Sequence, residues 1–320
     1  MKNRFLLIFW ALIFTSTPKA SCPDQTVDWG FYGHKKINEL AVFCLPSPLF
    51  EFYKSNLPYL IEHSVDPDRR RHSVKGEAER HFIDLDHYYI NGFLPKMPTT
   101  WAKAICQFEE DSLLENGIVP WHIQKQLHQL TEAFVSKDKI KVLQISAELG
   151  HYIGDAHVPL HTTSNYNGQK TNQHGIHGLW ESRIPEQLFD NYRFAYHTAQ
   201  IIDRPDLHIW NIVYQSHAAL DSVFDFERKV QEELGDKKME VDFRNGAITY
   251  QFSDEFTLLY ATKLDHQIER RMRSAIACIA DFWLTAWINA GQPELTHWKK
   301  QKDEKESKEN QPNKAVRSHE

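Results

Sequence analysis

Cysteine is scarce in this chain, with four among 320 residues and none in a CxxC pair. That excludes a cysteine-built zinc knuckle and a dense disulfide framework as the source of the fold. Basic excess is missing as well. The formal charge is −6, so no general positive field advertises nucleic acid, although a local groove can still be basic. No segment repeats, which removes solenoid architectures. The one long apolar run, Phe5 to Phe14, is too short to cross a bilayer as a helix. Strand-like alternation is confined to Val241–Tyr250, where Asn245-Gly246 favours a hairpin turn.

What is present suits one large globular domain: 41% hydrophobic and 25% charged residues can bury a full core. Lys2 and Arg4 precede the apolar run and small residues follow it to Ala20, so residues 1–20 read as a secretory signal. Export to the periplasm or beyond is therefore expected. Cys22 lies just past that segment and is a candidate for lipid anchoring to a membrane, with Lys19 spoiling the apolar box such an anchor needs. Cys44, Cys106 and Cys278 remain, an odd number with no evident pairing. A folded domain is expected over residues 21–298 and a disordered charged tail over 299–320. No protein partner is indicated.

Helical periodicity dominates the interior. From Lys139 to His157 apolar residues recur at Val142, Ile145, Leu149, Tyr152 and Ala156, steps of three and four. A second stripe runs from Leu258 to Asn289, with Gly291 and Pro293 as its stop. Helices are also expected over 206–230, 36–44, 101–115 and 121–135. The predicted class is all-α: a single multi-helix domain with at most a small β-hairpin.

Histidine is the abundant residue, with 18 copies, and neutral imidazole is the commonest metal ligand. His151 and Asp155 are four apart and share a helix face, opposite the Val142/Ile145/Leu149 stripe. Pro159 ends that helix and carries His161 round its end. His177 and Glu181 repeat the four-residue spacing, and with His161 they make a two-imidazole, one-carboxylate set with room for water. His174 lacks a carboxylate at helical spacing. The segment His81-Phe82-Ile83-Asp84-Leu85-Asp86-His87-Tyr88 alternates imperfectly and reads as a short extended run. Val65-Asp66-Pro67-Asp68-Arg69-Arg70-Arg71 is a turn with carboxylates and guanidinium groups, the pairing a phosphate pocket uses. Each segment alone has a plainer reading: a solvated polar face, a surface pair, a packed histidine or an exposed charged turn.

Together they resemble the superfamily of zinc-dependent phospholipase C and mung-bean-type single-strand nucleases. The resemblance starts at Trp29-Gly30-Phe31-Tyr32-Gly33-His34, runs to Glu181 and continues in helices to about residue 290. Its specific part is His151-x3-Asp155-x5-His161 followed by His177-x2-Trp180-Glu181. It implies a fold around a polynuclear zinc site, with Asp66, His81, His151 and Asp155 on a first zinc and His161, His177 and Glu181 on a second. His34 would bind a third, with Asp155 bridging. Asp84 resembles the acid/base carboxylate and Arg69 the residue that grips the scissile phosphate.

Two departures stand out. The family completes its third site with the freed amino group of an N-terminal Trp, yet Asp28 precedes Trp29, well past the expected cleavage. Two zinc ions are therefore expected, and a third only if Trp29 becomes terminal. Glu181 matches the phospholipase branch, while the Trp-Gly-x-x-Gly-His start and His-Phe-Ile-Asp run match the nuclease branch. The implied substrate is a phosphodiester, in nucleic acid or a phospholipid headgroup. Tyr88, Tyr89, Tyr152, Tyr166 and Trp180 are candidates to stack a base or line a headgroup pocket, with core packing the plainer role for Tyr152 and Trp180. The rival is a non-catalytic exported protein that keeps zinc for folding.

Overall fold

The computed structural model describes residues 30–298, apart from 195–196, 245–246 and 296–297. The expected signal segment, Cys22, Trp29, the Asn245-Gly246 turn and the charged tail lie outside the described residues. Among the described residues seven helices reach ten residues or more: α1 (Phe31–Val42), α2 (Val119–Val135), α3 (Lys139–His157), α4 (Pro205–Ala218), α5 (Leu220–Leu234), α6 (Asp254–Lys263) and α7 (Gln267–Asn289). One antiparallel pair, β1 (Met239–Arg244) and β2 (Ala247–Phe252), makes the expected hairpin, with Val241 opposite Tyr250 and Phe243 opposite Ile248. The fold is all-α. No described helix is long and apolar enough to cross a membrane.

Helix α3 is the centre, packed against α1, α2, α4 and α7. Its start is capped by the Asp138 side chain, which accepts from the Lys141 N–H at 3.1 Å. From Ser146 to His157 every residue is buried, so the polar face carrying His151 and Asp155 is interior and not solvated. Apolar packing surrounds it: Trp283 of α7 stacks on Tyr53 with centroids 4.7 Å apart, and both bond to Ser146 of α3. Gly150 lets α1 approach closely, since a Cβ there would fall 2.0 Å from Asn38 Oδ1. That contact sets His34 beside His151.

The two long predicted stripes are each broken. Residues 258–289 divide between α6 and α7, because Asp265 and His266 adopt positive φ, which ends one helix and starts another. Residues 206–230 divide at Ala219 into α4 and α5. Apolar periodicity persists through both breaks, so the pattern alone does not show them. The His81–Tyr88 run bends at His81, has no regular element over residues 82–84 and makes a 3-10 turn over Leu85–Tyr88. Its backbone bonds go to neighbouring loops, with Ile83 N–H donating to His161 O at 2.9 Å and Asp84 N–H to Asn116 O at 2.7 Å.

Candidate metal centre

Four donor atoms converge beneath α3. His81 Nδ1 lies 3.0 Å from Asp155 Oδ2, 3.5 Å from Asp68 Oδ1 and 3.1 Å from His151 Nε2. His151 Nε2 in turn lies 3.3 Å from Asp68 Oδ1 and 3.4 Å from Asp155 Oδ2. Donors about 2.0–2.1 Å from a shared ion in tetrahedral geometry lie about 3.3 Å apart, and these five separations are close to that. The other carboxylate oxygen of Asp155 sits 3.4 Å from His34 Nε2. His34 stacks on His151 at 3.9 Å. Asp155 thus links His34 to the first cluster, as a bridging carboxylate would.

A second cluster lies past the end of α3. Pro159 begins a 3-10 turn that swings His161 inward. Residues 176–188 are helical, with a π-helical stretch over Leu179–Arg183. His177 Nε2 lies 2.6 Å and His161 Nε2 3.3 Å from Glu181 Oε2. Beyond these close approaches to one another, the Nε2 atoms of both histidines and both Glu181 oxygens make no well-directed hydrogen bond among the described residues, which is costly for buried groups unless something else engages them. π-turns of this kind concentrate at functional sites.

The histidines are oriented as ligands. His151 Nδ1–H donates to Ser64 O at 2.9 Å, His161 Nδ1–H to His81 O at 2.6 Å and His177 Nδ1–H to Tyr166 O at 3.2 Å. Each bond fixes the ring and turns Nε2 towards its cluster. The carboxylates are held ionised. Burial works to raise Asp68, but His151, His34 and His81 outweigh it and bring it to about 2. Asp155 and Glu181 are depressed in the same way against their burial, chiefly by His151 and by His177 respectively. His161 is raised to about 9 despite burial, by Asp155 and Glu181, so metal binding there would release a proton.

Of the expected site residues, the structure gathers His34, His81, His151 and Asp155 in one place and His161, His177 and Glu181 in another. Asp66 is not among them. It pairs with His63 at 2.5 Å and Arg69 at 3.0 Å towards the surface, and Asp68 faces His81 and His151 instead. Both lie in one short helix, Asp66–Arg70, where two residues turn through about 200°, so only one can face inward. The same shift removes Arg69, which pairs with Glu62 at 2.6 Å and lies over Phe31. Arg71, three after Asp68, is the one whose charge bears on His161. Asp84 follows Ile83, whose N–H bonds to His161 O, and its own N–H bonds to Asn116 O, so its backbone is held against the second cluster. Burial, with Asp86 adding repulsion, pushes its carboxyl up to about 7.

Among the candidate aromatics, Tyr88, Tyr152 and Trp180 are buried, and Tyr89 and Tyr166 are exposed. Tyr166 lies 6.0 Å from the His177 ring. His174 is exposed. Cys44, Cys106 and Cys278 form no disulfide among the described residues.

Two buried clusters of imidazole and carboxylate, joined through shared backbone on an all-helical frame, define a candidate polynuclear metal protein. The S1/P1 nuclease family model matches residues 29–244, and the chain belongs to that family. Among solved structures it is similar to the alpha-toxin of Clostridium perfringens from an avian strain, at 12% identity and TM-score 0.49 over 82% of this chain. It is also similar to the alpha toxin of Clostridium absonum, at 13% identity and TM-score 0.46 over 82% of this chain. The chain spans 65% of the length of each. A search of curated proteins finds no significant match.

Proposed function

We infer that this protein is a zinc-dependent hydrolase of phosphodiesters. The observation that carries the reading is the pair of buried donor groups, His34/Asp68/His151 and His81/His151/Asp155, joined at His151 and standing beside the His161/His177/Glu181 group, with the charge of Arg71 felt at His161. Membership of the S1/P1 nuclease family supports the same chemistry. Asp68, His81, His151 and Asp155 would hold one zinc and His161, His177 and Glu181 another. His34 would share Asp155 with a third if the amino group of Trp29 were freed. Zinc supplies charge stabilisation at phosphoryl oxygens and a more acidic water, with a pKa of about 7.

The chain's own residues do the rest. Asp84 orients the attacking water and takes its proton, a role suited to a carboxyl poised near neutrality. Arg71 neutralises charge that develops on the phosphoryl group. Exposed Tyr166, 6.0 Å from the His177 ring, and exposed Tyr89 are the candidates to stack a base or a headgroup, worth about 1–3 kcal/mol per stacked base. The substrate is nucleic acid or a phospholipid headgroup, met after export.

The test is metal content of the mature protein with hydrolysis of bis-p-nitrophenyl phosphate, single-stranded DNA and phosphatidylcholine, each with and without a chelator. Two or three zinc ions with chelator-sensitive turnover are expected, and the preferred substrate selects the branch. Zinc without turnover on all three would favour a structural metal protein. Absence of zinc would overturn the reading.

A further inference from the structure

Three of the clustered histidines are held alike: His151, His161 and His177 each give Nδ1–H to a backbone carbonyl and point Nε2 at a cluster. His81 is reversed. Its Nδ1 meets Asp68, His151 and Asp155, while its Nε2 faces Oε1 of Glu77 at 3.7 Å. Glu77 lies four residues before His81, is fully buried, and belongs to none of the clusters.

A buried carboxylate needs compensation, and Glu77 has it. Arg70 Nε donates to Oε2 at 2.9 Å, Arg80 Nη1 donates to Oε2 at 2.8 Å, and the Tyr152 hydroxyl donates to Oε1. Arg70 also donates to the Tyr152 hydroxyl at 3.1 Å and to Glu148 at 2.8 Å. Glu148 and Tyr152 lie on α3 beside His151 and Asp155. That helix therefore carries two of the donors and part of the frame that holds Glu77.

We propose that Glu77 is a positioning residue for the first cluster: its carboxylate favours the His81 tautomer protonated at Nε2, and so commits the Nδ1 lone pair to the metal. The opposite tautomer would set a bare Nε2 lone pair against a carboxylate and a proton among the donors. A full negative charge behind the ring also raises ligand basicity more than the carbonyls behind the other three histidines. The first cluster should then be the tighter of the two. This rests on the metal reading above.

The test uses the zinc-loaded protein. Zinc affinities are measured by chelator competition for wild type, Glu77→Gln and His177→Ala, with nitrogen-15 NMR of the histidine rings. Glu77→Gln is expected to weaken one zinc by about 10–100-fold and leave the other unchanged, while His177→Ala weakens that other one. Wild-type His81 is expected to show a proton on Nε2 and none on Nδ1. Unchanged affinities in Glu77→Gln, or Nε2 of His81 bound to metal, would overturn the proposal while leaving the metal reading intact. No zinc in wild type would sink that reading itself. If Glu77→Gln does not fold, the wild-type ring spectrum decides alone.

Discussion

The two clusters are built from similar residues but differ in enclosure. The first draws four donors from three separate segments, and the His81, His151, Asp68 and Asp155 side chains are almost wholly buried. The second has three donors, and its His177 side chain keeps 14% of its surface exposed. Four protein donors complete a tetrahedron, whereas three leave a position for water or substrate. On the proposed reading, the first cluster would anchor its ion and the second would form the open side of the chemistry.

The sharpest way to break that division is Asp155→Asn. Its carboxylate serves His34, His81 and His151 together, so zinc content should fall and turnover should drop at least about a hundredfold, the scale of losing a group that stabilises developing charge. Wild-type stoichiometry and turnover in that variant would contradict the shared bridge.

Asp84→Asn should separate chemistry from binding. Turnover is expected to fall by about 10²–10⁴-fold, the scale of general acid–base assistance, with metal content unchanged. Chelated protein gives a second readout. Asp84 is raised in the folded chain to about 7, from about 3.9 in the unfolded one. The folded state then holds a proton that the unfolded state has lost, so stability falls as the pH rises between those values. That contribution is present below about pH 4 and gone above about pH 7. Thermal melts of the chelated variant should therefore exceed wild type at pH 8 and match it at pH 4.

A smaller effect distinguishes neighbours. Asp68→Asn should weaken zinc binding, whereas Asp66→Asn, two residues away, should leave it within about twofold, because a surface ion pair contributes about 0–1 kcal/mol. The reverse result would return the ligand role to Asp66.

Much of this site is legible in the chain. Spacings of four place His151 with Asp155 and His177 with Glu181, and Pro159 explains the return of His161. The choice between Asp66 and Asp68 is not, because it depends on how a five-residue helix turns against α3. Glu77 was legible in principle, since Glu77-x3-His81 has the spacing of His177-x3-Glu181 in reverse order. The helix breaks at Ala219 and Asp265-His266 stayed hidden because the apolar periodicity continues across them. The central burial of α3 was hidden too: its polar residues pattern like a solvated face and are satisfied by other helices.

The pair of hydrogen bonds that tie residues 81–83 to His161 has one more consequence. His161 gives its ring N–H to His81 O, and Ile83 gives its N–H back to His161 O. This clasp makes the two clusters a single mechanical unit, so ordering either one orders the backbone of both. Hydrogen exchange at the Ile83 amide should then slow when zinc is added, and an unchanged rate would say that the clasp is only scaffolding.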